Sequence, residues 1–576
     1  MKMTQTKVDV VIIGSGIGGS SVAAILARQG LKTAMVDGAV HPRFALGEST
    51  IGETTFLMRV LAARYDVPEL GLASTTRGLA EHVSRRCGVK RNFGFVYQRE
   101  GLEHASDEVT QCNVSDGPFG PESHLMRADV DKYLFEAAKN YGSLGFEGVR
   151  IEAISFDDDG VTIGLESGDE LRAAYVIDAT GRNSVLADRF GLREDPCRFK
   201  TNSRTIFTHM SGVVPYDEVD PDTRQPTPWH EGTLHHLFDG GWMWVIPFDN
   251  RPDSESALVS VGLNLDNERY PKREGVSAEQ EWAEFLASQP GIAGQFEQAQ
   301  LAFPWISTGR TQFSSSQTVG DRWILMSHAA GAIDALFSRG MANTMAVIEA
   351  FVPRFLAAHA EGDYRAERFE YVNQLSQTLL DNTDKLVKGS YISFRDFDLW
   401  RAWSKMWFLA WNLGGMRLTG AYYQFLETGN ADILDELHRG ELPGTFAPEA
   451  PSAQQQFERC FAIMEQIERG EMEVEEAIPE IAFILGDGEA SPPPLNLHDV
   501  LRPWHDGSVE TQTLIYNWGR TASPMGMRKW FNYDRATIPL AAMRVHSARP
   551  TATQPVAVTE MAAPHSTVPF GNRGRR

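Results

Sequence analysis

Two short segments carry residue types and spacings suited to chemistry. In Gly14-Ser-Gly16-Ile-Gly18-Gly19, Gly14 permits a tight turn, Gly16 lets the backbone approach a pyrophosphate, and Gly19 lets a helix pack closely on a strand. The N-terminus of that helix attracts the phosphate charge. Asp37, about twenty residues on, is positioned to accept a hydrogen bond from an adenosine ribose. The second segment, Gly241-Trp242-Met-Trp244-Val-Ile246-Pro247, sets two indoles two residues apart, so a strand would present both on one side as a wall of rings. Other groups offer less. Cys87, Cys112, Cys197 and Cys460 lack the short-spaced pairs of a zinc site or a dithiol, and the adjacent His235 and His236 would face opposite sides of a strand, so no metal is expected.

The elements that must position these groups follow from the surrounding pattern. Residues 8–13 are a β-branched apolar run, 20–29 an alanine-rich helix, and 31–36 a second strand ending in Asp37, which makes a βαβ unit around the glycine turn. The uncharged stretch 10–27 is as long as a short membrane span, but its glycines and serines fit a strand, a turn and a soluble helix better. Residues 175–179 read as a buried strand returning to the same sheet. The strands predicted within 90–96 and 234–248 therefore belong to a sheet inserted into the nucleotide-binding core, with a helix over 130–140. From about Met345 the apolar periodicity is helical, as in 351–359, 369–387 and 457–467. Trp400, Trp403, Trp407 and Trp411, spaced three, four and four apart, predict a buried seam between those helices. The expected division is 1–345 for the core with its inserted sheet, 346–545 for a helical region interrupted at Pro492-Pro-Pro494, and 546–576 for a disordered tail.

A chain of 576 residues with 42% hydrophobic residues is ample for this organisation, and its formal net charge of −22 argues against a nucleic-acid partner. With few, scattered cysteines and no membrane segment, a cytoplasmic location is expected.

Tyr175-Val-Ile-Asp178-Ala-Thr180-Gly181 resembles the strand and Ala-Thr-Gly turn that lie beside FAD in aromatic hydroxylase flavoproteins, which implies FAD as the cofactor. The tryptophan segment resembles the Trp-x-Trp-x-Ile-Pro hallmark of the flavin-dependent halogenases through Trp242, Trp244, Ile246 and Pro247. The likeness covers most of the chain. Within that family the sequence is most similar to the subgroup of the monodechloroaminopyrrolnitrin and chlortetracycline halogenases, through His41-Pro-Arg-Phe-Ala-Leu-Gly-Glu48-Ser-Thr, Cys197-Arg-Phe-Lys-Thr, Thr233-Leu-His-His236 and Leu336-Phe-Ser-Arg-Gly340.

The resemblance implies that Arg43, Gly47, Glu48, Ser49, Arg127, Asp178, Gly181 and Asp334 lie along FAD, together with Gly14, Gly16, Gly19 and Asp37. It also implies a halide site at Ser338, Arg339 and Gly340, where amides at a helix start suit an anion. The family's lysine near the substrate is matched by Lys90 in Lys90-Arg-Asn-Phe-Gly-Phe95. Desolvation would lower the pKa of that ammonium towards neutral. Two departures stand out. Ser327-His328 replaces the Gly-Asp of aromatic hydroxylases, and Phe337 replaces the glutamate of tryptophan halogenases, which implies a ring that is already activated as the acceptor.

The implied fold is α/β: a Rossmann-type FAD-binding core with an interleaved antiparallel substrate sheet, as in aromatic hydroxylases, plus a C-terminal helical region. The implied enzyme is an FADH2-dependent halogenase in which a flavin hydroperoxide oxidises chloride to hypochlorous acid, with O2 and chloride as co-substrates. An electron-rich aromatic (a phenol, aromatic polyketide or arylpyrrole), free or carrier-tethered, is then chlorinated in antibiotic or other secondary-metabolite biosynthesis. A separate NAD(P)H-dependent flavin reductase supplies the FADH2. The alternative is an FAD-dependent aromatic hydroxylase of the same fold, a monooxygenase that spends the oxidant on the substrate directly.

Overall fold

Every residue of the strand Val10–Ile13 is buried, and a strand buried on both faces needs parallel neighbours under a cover of helices. It lies between Thr33–Asp37 and Tyr175–Asp178, parallel to both. In the computed structural model, which describes residues 5–551 except 115, 224 and 506, this sheet runs Val319–Gly320, Trp323–Leu325, Tyr175–Asp178, Val10–Ile13, Thr33–Asp37, Leu144–Glu147. The helix Ile17–Arg28 leaves the glycine turn and packs on the helix Arg127–Asn140. The chain thus leaves its first sheet after Asp37 and returns at Leu144–Glu147, Tyr175–Asp178 and again from Val319, and all of the second sheet but its last strand grows from the intervening segments.

Along the main path of that second sheet lie Gln300–Leu301, Ser203–Ser211, Leu258–Asp266, Gly241–Pro247, Thr233–Phe238, Asn92–Tyr97, Val109–Asn113 and Trp504–His505, with Ile306–Arg310 also paired to Ser203–Ser211. It is mixed and not wholly antiparallel. Thr233–Phe238 runs parallel to Asn92–Tyr97, and Trp504–His505 parallel to Val109–Asn113. The stretch 90–96, expected as one strand, is split. Gly88–Lys90 pairs with Glu122–His124, whereas Asn92–Tyr97 joins the large sheet. Between them Arg91 turns outward to Asp116 and Glu231, because a guanidinium has no place among the buried residues on either side.

The helical region does not form a separate body. The helix Arg339–Glu361 straddles position 345, and the helices Glu370–Ser393, Phe397–Thr428 and Pro451–Glu468 share one apolar core with the nucleotide-binding unit. His546 and Ser547, expected in the tail, complete the helix Thr537–Ser547; residues 552–576 lie outside the described residues. The tryptophan seam also divides. Trp403 packs against Phe457 and Phe461 between helices, while Trp400 and Trp407 pack on Phe95 of the sheet and Trp407 and Trp411 on Phe93.

Candidate active site

The carboxyl ends of Val10–Ile13 and Tyr175–Asp178 open onto a cleft of about 460 Å³, which continues between the first sheet and the tryptophan strand of the second. Its floor depends on two glycines. Gly14 has φ +92°, and a Cβ at Gly19 would lie 2.0 Å from the Gly14 carbonyl oxygen, so the turn and the helix touch backbone to backbone. Gly16 and Gly18 face the cleft itself.

Around this floor the fold gathers most of the residues singled out from the sequence. Gly16, Arg43, Gly47, Glu48, Ser49, Arg127, Gly181, Trp242, Trp244, Ile246, Asp334, Ser338, Arg339 and Gly340 all line the cleft. Gly14, Gly19, Asp37, Lys90, Asp178 and Pro247 do not. Asp37 stands behind Arg43: its Oδ2 accepts from Ser15 N at 2.9 Å, Ser15 Oγ at 2.8 Å and Arg43 Nη2 at 3.1 Å. Burial would raise this carboxyl, but the Arg43 charge and the hydrogen bonds from Ala39 and Ser15 outweigh it and hold the group below its ordinary value. Asp178 likewise acts through the backbone, accepting from Thr180 N at 3.0 Å and from Leu186 N at 2.9 Å, which shapes the turn that carries Gly181 to the cleft.

The residues present fit a dinucleotide. Arg127 forks onto Asp131, Nε to Oδ1 at 2.9 Å and Nη2 to Oδ2 at 3.0 Å, and donates to the Gly47 carbonyl, so it is fixed before any ligand arrives. Arg43 Nε and Asn343 Oδ1 are buried at the cleft without a protein partner, as polar groups awaiting a polar ligand would be. His328 shows its ring to the cleft.

At the opposite end stands the tryptophan strand. Trp242 and Trp244 lie 5.8 Å apart between ring centres and are almost wholly buried. Trp242 Nε1 donates to Asp334 Oδ1 at 3.0 Å, and Trp244 Nε1 donates to Ser260 Oγ at 3.1 Å. Asp334 also accepts from Leu336 N, Ser203 Oγ and the Tyr391 hydroxyl. Burial nonetheless raises its pKa above the ordinary value. Four residues further on, Ser338 takes a left-handed conformation, φ +54°, and the helix Arg339–Glu361 begins with its first amides without partners within the helix, at residues that line the cleft. The Arg339 guanidinium is turned away from that end by an ion pair with Glu53.

Lys90 lies behind the wall. It is wholly buried, its Nζ donates to Ser49 Oγ at 2.7 Å and to the Thr50 carbonyl at 3.0 Å, and it sits 3.2 Å above the centre of the Phe93 ring. Burial pulls its pKa well below the ordinary value, opposed by the nearby Glu122. Phe337 is stacked on Trp407 with centres 5.0 Å apart. The site also holds residues that sequence reasoning missed: Glu53 on Arg339, His209 at 2.6 Å from Glu48, and Tyr391 on Asp334. Each pair spans more than fifty residues, and no local pattern announces it. His235, set aside as a metal ligand, faces the cleft and stacks on Phe95 at 4.6 Å, while His236 faces the other way onto Gln98 and Gln295.

The tryptophan halogenase family model matches residues 105–408. Monodechloroaminopyrrolnitrin halogenase PrnC of Pseudomonas fluorescens is 40% identical over 91% of this chain and 94% of its own. Tetracycline 7-halogenase of Kitasatospora aureofaciens is 42% identical over 85% and 89%. Among solved structures, halogenase PltM in complex with phloroglucinol and FAD superposes with a TM-score of 0.83 at 33% identity, covering 86% of this chain and 99% of that one. These likenesses favour halogenation over hydroxylation, and the chain belongs to the tryptophan halogenase family, as a flavin-dependent halogenase.

Proposed function

We propose that this halogenase makes hypochlorous acid from chloride in the cleft, passes it along Trp242 and Trp244 to Lys90, and there chlorinates an electron-rich aromatic ring. The observation that carries the reading is the placement of Lys90: a buried amine whose hydrogen-bond partner, Ser49, faces the cleft. When bound, reduced FAD with dioxygen supplies the two-electron oxidant for chloride. Gly16, Arg43, Gly47, Glu48, Ser49, Arg127 and Gly181 would hold the cofactor, with Asp37 orienting Arg43 and Asp178 the Gly181 turn. The amides of Arg339 and Gly340 after Ser338 would hold chloride, and two anchored indoles keep the ring to be chlorinated out of the flavin's reach.

Lys90 serves either by hydrogen-bonding hypochlorous acid or, as the amine that burial favours, by forming an N–Cl bond with it. With Phe337 and Trp407 where a carboxylate would be needed to help a sluggish ring, a phenol, aromatic polyketide or arylpyrrole is the acceptor class. Arylpyrrole and tetracycline relatives, and phloroglucinol in PltM, support that choice. A separate NAD(P)H-dependent reductase would deliver FADH2. No helix among the described residues is long and apolar enough to cross a membrane, and four free cysteines support a reducing compartment, the cytoplasm.

The test supplies a flavin reductase, NADH, FAD, oxygen and chloride with phloroglucinol, tetracycline and an aminophenylpyrrole, and reads products by mass spectrometry. A chlorine isotope doublet that vanishes in Lys90→Ala is expected. A solely oxygenated product, or chlorination undiminished in Lys90→Ala, overturns the reading.

A further inference from the structure

Lys90 begins a line of hydrogen bonds that passes two cleft residues, Ser49 and Thr233, and ends behind them at His124. Its Nζ is 2.7 Å from Ser49 Oγ, Ser49 Oγ is 2.9 Å from Thr233 Oγ1, and Thr233 Oγ1 is 2.9 Å from His124 Nε2. His124 Nδ1 ends the line at the Pro247 carbonyl, 2.8 Å away. All four side chains in the line are buried.

That last contact fixes the direction of the rest. A carbonyl only accepts, so Nδ1 carries the ring proton, and a neutral imidazole then offers Nε2 as an acceptor. Burial first and the Lys90 charge second push His124 down to about 3, which keeps the ring neutral. Thr233 must then donate its one proton to Nε2, so it accepts from Ser49, and Ser49 accepts from Lys90. Every donor points from the amine towards the imidazole.

We propose that Ser49, Thr233 and His124 form a proton relay serving Lys90, with His124 Nε2 as its terminal acceptor. In one pass Nζ–H goes to Ser49 Oγ, the Ser49 proton to Thr233 Oγ1, and the Thr233 proton to Nε2. Three bonds to hydrogen break and three form, no electrons are exchanged, and one positive charge moves from Lys90 to His124. Lys90 is left with the lone pair it needs to attack the chlorine of hypochlorous acid: the N–Cl bond forms as the O–Cl bond breaks, and the departing hydroxide takes one proton from the nitrogen and leaves as water. Pro247 closes the tryptophan strand, so the strand that screens the cleft also holds the far end of the relay. This inference rests on the role given to Lys90 above.

The other titratable and charged groups facing the line are few. Glu122 stands opposite Lys90 in the strand pair, held by Thr50 Oγ1 at 2.7 Å and Thr55 Oγ1 at 2.8 Å, with Arg59 close to it. His235 from Thr233–Phe238 and His230 just before that strand face His124. Glu122 favours the ammonium, and the relay gives its proton an acceptor at His124 Nε2.

Two measurements decide the matter. Neutron diffraction from crystals of the enzyme in heavy water is expected to show deuterium on His124 Nδ1 and none on Nε2; deuterium on Nε2 reverses the line and overturns the proposal. Chlorination of phloroglucinol is then followed against pH. Thr233→Val is expected to lower kcat at neutral pH roughly 100-fold or more, to approach the wild type in alkali where the amine deprotonates unaided, and to leave KM unchanged, with Thr233→Ser restoring the profile. Equal rates for the Val and Ser variants at every pH overturn the relay. Ser49→Ala against Ser49→Thr breaks the same line should Thr233→Val fail to fold, with circular dichroism reporting the fold and saturating FAD supplied to both. Activity in Lys90→Met sinks the role of Lys90 itself, a result distinguishable from an unshifted profile in an enzyme that needs Lys90.

Discussion

The Trp242 ring is held by a single carboxylate oxygen, and Asp334→Ala should show how much depends on it. Asp334 accepts from Trp242 Nε1 at 3.0 Å, Leu336 N at 3.1 Å, Ser203 Oγ at 2.9 Å and the Tyr391 hydroxyl at 2.8 Å. The indole and the backbone amide cannot turn elsewhere, and two buried donors left unsatisfied cost about 1–3 kcal/mol each. The two hydroxyls can rotate and add less. Against this, burial has already raised the Asp334 pKa, so deleting the carboxyl relieves part of a desolvation penalty. A net loss of about 2–4 kcal/mol is expected, read as a lower urea midpoint. A double-mutant cycle with Trp242→Phe isolates the indole bond, worth about 1.5–3 kcal/mol as a bond to a charged acceptor. An indole free to tilt no longer screens the cleft, so chlorinated product per NADH consumed should fall as well. A coupling energy near zero, or an unchanged product yield in Asp334→Ala, would refute the anchoring role.

Glu53→Ala strands a buried Arg339 guanidinium; a loss of about 3–5 kcal/mol and a higher KM for chloride are expected, and an unmoved urea midpoint would contradict the pairing. Gly262→Ala sets a Cβ 2.0 Å from Trp244 Cζ2, so the indole must leave its place, and chlorination should collapse while circular dichroism reports whether the sheet survives. Asp37, held below its ordinary value of 3.8, stabilises the fold fully above that value and loses the contribution as pH falls through its lower folded value. Acid unfolding of Asp37→Asn should therefore show a shallower loss of stability than the wild type below about pH 4, and parallel curves would discount the Arg43 contact.

What the sequence made legible was local. The glycine turn, its helix and the alternation that puts Trp242 and Trp244 on one face depend on neighbours a few residues apart, and the structure places them so. Arithmetic at helical pitch reaches further than was used. At about 100° per residue Trp400, Trp407 and Trp411 fall within roughly 40° of one another while Trp403 stands roughly 60° off, which is why three rings pack on the sheet and one between helices. Contacts set by topology stayed hidden: Glu53 on Arg339, His209 on Glu48, and His124 beside Thr233 join segments distant in sequence that only the tertiary fold brings together. Asp37 and Asp178 were legible as important but not in kind, since each shapes a turn from behind and leaves the cleft wall to Arg43 and Gly181.

The pairing of Trp504–His505 with Val109–Asn113 bears on how the polypeptide can be shortened. A version ending before residue 504 would bare the backbone donors and acceptors of a sheet edge beside the buried Cys112, a template for pairing with another molecule's edge. Its expected fate is self-association, so the catalytic half cannot be had by trimming away the helices. Trp504 and His505 act as a hem on the sheet, and exchanges between relatives must carry that hem with the strand it covers.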